Sequence, residues 1–262
     1  MLSIKNRFIS TFTSLYLIAL FLTCFSQASA QDNTEVKKWN FLADVYLMFP
    51  YMEGDAGIGN RITVPVDANP GDILSKLKMA AMLYFEAKTD RWAITTDFVY
   101  MRLNQDLTPG TLVQSGTLEA KELIWEAAGL YRIWPFLEVG LGGRVNNIGL
   151  DIDALRSGIP DPEEVNESGS KTWFDPILIT RLSADINEKW LFQFRGDIGG
   201  FSVGSNLTWQ LQAYAGYRFC KLFQLSLGYR FLSVDYDKGT DEDRFIFNVN
   251  TSGPLVRFGF NF

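Results

Sequence analysis

Phe223-Gln224-Leu225-Ser226-Leu227-Gly228-Tyr229-Arg230-Phe231 alternates without a break, with Phe223, Leu225, Leu227, Tyr229 and Phe231 on one side and Gln224, Ser226 and Arg230 on the other. Period two is the mark of a β-strand whose two faces meet different surroundings. Just before it, Leu211, Ala213, Ala215, Tyr217 and Phe219 oppose Gln210, Gln212 and Arg218, and only Cys220 to Leu222 separate the two runs. The final run repeats the pattern, Val256, Phe258, Phe260 and Phe262 against Arg257, Gly259 and Asn261.

Moving back from this carboxyl-terminal part, the same alternation recurs in segments of roughly ten residues, the length a tilted strand needs to cross a bilayer. Trp190, Phe192, Phe194 and Ile198 oppose Gln193, Arg195 and Asp197. Less regularly, Leu178, Leu182, Ala184 and Ile186 oppose Arg181, Ser183 and Asp185. Leu137, Val139, Leu141 and Val145 face away from Glu138, Arg144 and Asn146, and Leu123, Trp125, Ala127 and Tyr131 from Glu122, Glu126 and Arg132. Trp92, Ile94, Thr96, Phe98 and Tyr100 oppose Thr95, Asp97 and Val99; Leu77, Met79, Ala81, Leu83 and Phe85 oppose Lys78, Tyr84 and Glu86; Trp39 to Phe49 sets its odd positions against Asn40, Asp44 and Tyr46. Asn69-Pro70-Gly71-Asp72 suits the cap of one helical turn before the second segment.

Every second connection is very short: Lys88 to Arg91, Trp134-Pro135, Asn187 to Lys189, Cys220 to Leu222. The others are mostly longer, and Pro50 to Ser75, Asn104 to Gly116 and Asp151 to Thr172 read as outer loops rich in Gly, Pro, Asp, Glu and Ser. Apolar-face aromatics gather at segment ends, Trp39, Trp92, Trp190, Phe219, Phe223 and Phe262 near the turns and Phe49, Tyr100, Trp209 and Phe231 near the loops, as in two interfacial girdles. The expected fold is all-β, a single antiparallel transmembrane β-barrel of about ten strands, with eight or twelve as alternatives if the first loop or the irregular sixth segment is misread. An even number places both termini in the periplasm.

The amino terminus has the three parts of a secretory signal, Lys5 and Arg7, an apolar run from Leu15 to Phe25, and Ala28-Ser29-Ala30 before Gln31. Cleavage after Ala30 would make 1–30 the leader and 31–262 the barrel domain. It would remove Cys24 and leave Cys220 without a disulfide partner. It would also remove two of 24 basic residues and none of the 30 acidic ones, so the remaining net charge of −8 argues against a nucleic-acid partner.

Several short motifs carry a resemblance: Trp173-Phe174-Asp175-Pro176, Arg195-Gly196-Asp197-Ile198-Gly199-Gly200-Phe201, Gly204-Ser205-Asn206-Leu207-Thr208-Trp209, Gly216-Tyr217-Arg218-Phe219, Gly228-Tyr229-Arg230, Val234-Asp235-Tyr236 and Ser252-Gly253-Pro254. In this order the second half resembles a group of uncharacterised proteobacterial outer-membrane β-barrel proteins, loosely OmpA-like, and weaker similarity reaches back to about Gly71. The resemblance implies the fold and the bacterial outer membrane, and no reaction or ligand. The aromatic end, Phe258, Phe260 and Phe262, looks like the signal read by the barrel insertion machinery.

The chain has no histidine, which removes the usual general base and the commonest metal ligand. Glu122 and Glu126 stand about 13 Å apart on one strand face at roughly 3.3 Å per residue, too far for paired carboxylate chemistry. No catalytic, cofactor or metal site is expected, and the acidic runs at Asp161 to Glu167 and Asp235 to Asp243 read as solvated charge. The polar faces instead supply a mixed charge set, Asp97, Glu122, Glu126, Arg144, Arg181, Asp185, Arg195, Asp197, Arg218 and Arg230, joined by Asp44, Lys78, Glu86, Glu138 and Arg257. Buried charges must pair. The expectation is an integral outer-membrane protein among lipid and lipopolysaccharide, with a charge-filled lumen and a structural or loop-mediated role. The alternatives are a narrow channel using the same charges and a soluble periplasmic ligand-binding barrel with its apolar faces inward.

Overall fold

The computed structural model describes residues 39–58, 62–106, 113–156 and 163–262. The expected leader lies outside them, as do the side chains of the first acidic run. The elements follow as β1 (Asn40–Met48), β2 (Tyr51–Ile58), β3 (Ile62–Ala68), helix α1 (Pro70–Lys76), β4 (Leu77–Lys88), β5 (Trp92–Asp106), β6 (Val113–Trp134), β7 (Leu137–Arg156), β8 (Glu163–Ile186), β9 (Trp190–Gly199), β10 (Leu207–Arg218), β11 (Phe223–Lys238), a 3-10 turn (Asp241–Asp243) and β12 (Phe245–Asn261).

Each of β4 to β12 pairs antiparallel with its sequence neighbour, and β12 closes the sheet. Its carboxyl half pairs with β1, from Leu42↔Asn261 to Met48↔Leu255, and its amino half with β2, from Ser252↔Tyr51 to Phe245↔Ile58. The strands β1 and β2 are thus one stave broken at Phe49-Pro50, and β3 and β4 form the second stave, broken by α1. The result is a closed ten-stave antiparallel barrel. Asn69 caps α1 reciprocally, its Oδ1 accepting from Asp72 N at 3.0 Å while the Asp72 carboxylate accepts from Asn69 N at 3.4 Å. The expected single helical turn is a seven-residue helix.

The short connections fall where the spacing placed them. One of them, Ile186 to Lys189, has Asn187 and Glu188 at φ 53° and 56° and is closed by Lys189 N donating to Ile186 O at 3.3 Å. Two successive left-handed residues define the hairpin turn whose twist matches the strands.

The faces settle the sign of the alternation. Val45, Leu47, Ile94, Trp125, Leu141, Leu178, Leu211 and Leu227 point out and are exposed, while Asp44, Asp97, Glu126, Arg144, Arg195 and Arg230 are buried inside. A soluble barrel would have the opposite arrangement, so that alternative fails. The apolar belt occupies nine residues on β5 (Trp92 to Tyr100), β6 (Leu123 to Tyr131), β10 (Trp209 to Tyr217) and β11 (Phe223 to Phe231), about 26 Å along a strand at 3.3 Å per step. Aromatic contacts ring its periplasmic end: Phe41 with Phe85 and Phe262, Trp92 with Tyr131, Trp190 with Tyr217, and Phe219 with Phe223. At the outer end Trp209 stacks on Phe231 at 4.7 Å.

Above the belt the strands continue and the polarity inverts. On β11 the outward row changes from Tyr229 and Phe231 to Ser233, Asp235 and Asp237, while the inward row changes from Gln224, Ser226 and Arg230 to the buried Leu232, Val234 and Tyr236. β12 repeats this, with Phe245, Phe247 and Val249 buried inside and Asn248 and Asn250 outside. Water replaces lipid as the outer medium at this level, so the side chains exchange roles. The three segments read as long loops are correspondingly mostly strand: β2 and β3 form a hairpin within Pro50 to Ser75, β5 and β6 pair up to Asp106↔Thr117, and β7 and β8 pair up to Arg156↔Glu163. Their turn-forming composition hid the weaker alternation of a strand that faces water.

A cation placed in the belt should therefore cost far more than one placed above it. Leu227→Arg should destabilise the folded barrel by about 2–4 kcal/mol and Ser233→Arg by under about 1 kcal/mol, as read by reversible denaturant unfolding in lipid vesicles.

Candidate functional site: the barrel lumen

The lumen is built in layers. Alternation sends every second side chain inward, and cross-strand register decides which charges meet. In the middle layer Asp97 lies opposite Glu126 and Arg181 opposite Arg195, like charges side by side. Such neighbours repel, and each finds an opposite charge elsewhere: Arg144 and Glu138 stand in register beside Glu126 and Arg181 on their other sides, while Asp97 and Arg195 reach partners on non-adjacent strands. Arg144 Nη2 donates to Glu126 Oε2 at 2.8 Å and to Asp197 Oδ1 at 2.7 Å. Arg195 pairs with the other oxygen of Glu126 and lies 3.2 Å from Asp197 Oδ2. Gln210 Nε2 donates to Asp197 Oδ2 at 2.8 Å, and Arg144 Nη1 reaches Thr208 Oγ1 at 3.2 Å. Arg144 is fully buried.

A second group lies toward the periplasm. Arg181 bridges Glu86 and Glu138, its Nε donating to Glu138 Oε2 at 2.6 Å, and Tyr84 Oη donates to Glu86 Oε2 at 2.6 Å. Beside it the Arg257 guanidinium sits 4.3, 4.7 and 5.2 Å from the ring centres of Tyr84, Tyr214 and Tyr46, with Nε 2.9 Å from Asp44 Oδ2. Three aromatic faces and one carboxylate hold this cation away from water. Arg230 Nη1 approaches Asp97 Oδ2 at 3.4 Å, and Tyr46 Oη donates to Asp97 Oδ1 at 2.6 Å.

Four members of the expected charge set sit elsewhere. Asp185 is exposed, with Arg218 3.9 Å away, and both lie at the periplasmic mouth beyond the buried network. Strand β8 ends at Ile186, so Asp185 projects beyond the packed interior even though it keeps the inward phase. Glu122 is half-buried and has no ion-pair partner among the described residues; it lines a cavity of about 30 Å³ together with Arg230. Lys78, expected inside, is exposed, because a bulge between Leu77 and Met79 disrupts the phase of β4 there.

The outer half of the lumen was not foreseen. Trp173, Tyr236, Phe245 and Phe247 form an apolar cluster with Ile124, Ile148, Leu232, Val234 and Val249, and Trp173 stacks on Tyr236 at 4.2 Å. Beneath it the buried Asp175 carboxylate accepts from Ser205 N (2.6 Å), Ser205 Oγ (2.9 Å), Asn146 Nδ2 (2.9 Å) and Trp173 Nε1 (3.1 Å). These bonds fasten the β9–β10 connection to β8. Gly204 permits the approach, since a Cβ there would lie 2.3 Å from Phe174 O. The alternation of Leu232, Val234 and Tyr236 was visible in the sequence, but on the face opposite to the one read as apolar.

No family model matches the chain, and no curated protein matches it. Among solved structures it is similar to the attachment invasion locus protein Ail of Yersinia pestis (10% identity, 87% of this chain and 100% of that one, TM-score 0.39). It is also similar to the outer membrane protease OmpT of Escherichia coli (12%, 88% and 100%, TM-score 0.49) and the translocator domain of the autotransporter NalP of Neisseria meningitidis (11%, 99% and 99%, TM-score 0.42). The chain's own geometry assigns its class: a closed strand wall with an apolar exterior and a charged interior is an integral bacterial outer-membrane β-barrel.

Truncating one partner of the central cluster should strand the others. Arg144→Met leaves Glu126 and Asp197 short of a cation and should lower unfolding free energy by about 3–5 kcal/mol. Arg144→Met combined with Glu126→Gln should recover part of that loss, as measured by denaturant titration of heat-modifiable gel migration.

Proposed function

We propose that this protein is a non-enzymatic, non-conducting outer-membrane barrel whose working surface is the water-facing crown above the belt. The observation that carries this reading is the lumen: an apolar cluster lies outermost, the Arg144 and Arg195 network beneath it, and the Arg257 cage nearer the periplasm. An ion would have to separate buried, mutually paired charges and then cross an apolar layer, both costly. The spaces along this path are small, about 110 Å³ at the periplasmic mouth and about 30 Å³ beside Glu122. The crown, in contrast, exposes paired charges on its outer wall, with Lys121 Nζ 2.7 Å from Asp151 Oδ2 and 2.9 Å from Glu119 Oε1, one step above Tyr100 and Leu123. That level meets the headgroups of the outer leaflet, so lipopolysaccharide is its immediate neighbour.

Export through a leader cleaved after Ala30, leaving 31–262 as the barrel domain, belongs to the same proposal. So do recognition of Phe258, Phe260 and Phe262 by the insertion machinery and membership of the uncharacterised, loosely OmpA-like group. The three phenylalanines occupy one outward row at the end of β12, where Phe260 contacts Phe223 and Phe262 contacts Phe41.

Planar-bilayer recording of the protein purified from outer membranes should give no reproducible conductance steps. Steps that change size in Arg195→Gln or Arg230→Gln would replace this reading with that of a narrow channel selecting solutes by lumen charge.

A further inference from the structure

Between the first and second staves the wall has a seam without sheet pairing, and it lies at the outer edge of the lipid belt. β1 pairs with β4 up to Val45↔Leu83, and β2 pairs with β3 from Met52↔Ala68. Between these points, residues 46–51 on one stave and 69–82 on the other have no sheet pairing to each other. The surplus on the second stave is taken up by α1 and by the bulge between Leu77 and Met79, while β4 stays paired to β5 throughout. Ala81 lies opposite Tyr100, and Leu47 and Met79 are exposed on either side, which places the seam at the outer-leaflet end of the belt. Strand edges facing lipid are otherwise avoided, because hydrocarbon offers their backbone groups no partner.

Directly behind the seam is the cavity of about 30 Å³, and residues from both edges line it: Tyr46, Met48 and Pro50 from the first stave and Met82 from the second. Val99, Met101, Ile124 and Leu232 complete an apolar lining. Methionine is unbranched and repacks readily, so a pocket with three of them can widen without breaking strand pairing. Glu122, which lacks an ion-pair partner among the described residues, and Arg230 also line it. The cavity thus combines a mostly apolar lining with one carboxylate and one guanidinium.

We infer that this seam is a lateral portal through which the acyl chain of a single-chain amphiphile enters the pocket of Met48, Met82 and Met101 from the outer leaflet. The pocket is closed in the present structure, and entry requires the three methionines to change rotamer. The Arg144 network below is untouched by this movement. Entry is therefore separate from conductance, since the portal leads from the lipid into the outer half of the lumen and opens no path past the Arg144 network.

The test uses the protein purified from outer membranes and placed in vesicles containing palmitic acid with a diazirine near the chain end. Cross-linked peptides are mapped by mass spectrometry. Adducts are expected on Met48, Met82 or Met101 as well as on lipid-facing Leu141. Extending the Val45↔Leu83 register would set Leu47 opposite Ala81, so an oxidised L47C/A81C pair in a Cys220→Ser background should stitch the seam and cut the methionine adducts at least tenfold. Reduction should restore them, and Leu141 adducts should stay constant. Val99→Trp, which fills the pocket without touching the seam, should abolish the same adducts while heat-modifiable migration is retained. Adducts confined to lipid-facing residues, or methionine adducts unchanged by both variants, would overturn the portal.

Discussion

Hydrocarbon cannot satisfy a peptide N–H or C=O, and closure of the sheet by β12 is the response on which the rest of this structure depends. β12 pairs with β11 along one edge and with β1 and β2 along the other, so one strand completes the wall. Once the wall is closed, alternation leaves no freedom. A lipid-facing residue sends its neighbour into a space too narrow to be left empty. The charged side chains inside are consequences of closure, and their pairing is what lets that closure be stable.

The pairing solves a problem that register creates. Asp97 beside Glu126 and Arg181 beside Arg195 would be unfavourable in any isolated sheet. Curvature brings other walls within reach, so Arg181 on β8 finds Glu86 on β4 and Arg230 on β11 finds Asp97 on β5. These links join staves distant in sequence and tie the barrel together from within. Above the belt the requirement reverses, and the same strands hold an apolar interior with a wet exterior. The crown resembles the core of a soluble β-protein mounted on a membrane one.

Much of this could be read from the chain. Phe223 to Phe231 and Val256 to Phe262 announced their faces because lipid outside and charge inside maximise the contrast between successive residues. The four tight turns were legible for the same reason, since they interrupt strong alternation. The crown was not: Leu232, Val234 and Tyr236 alternate as cleanly as the membrane segment, but in the opposite phase. Gly, Pro and acidic residues around the crown strands also look like loop. Trp173 and Asp175 were noticed as a motif without a role, because the partners that give them one, Tyr236, Ser205 and Asn146, are 29 to 63 positions away along the chain. Asp185 and Arg218 kept the right phase but lie past the packed interior, and phase alone carries no depth.

The central claim is that strands such as β6 and β11 run as paired strands from the periplasmic turns through the belt into the crown. Amide hydrogen exchange of the protein in lipid nanodiscs tests it most directly. The claim predicts slow exchange along residues 117–121 of β6 and 232–237 of β11, comparable with the belt, because each amide there is in a paired strand. Exchange of these segments at the rate of an unstructured chain would contradict it, and would return them to the loops that their composition first suggested.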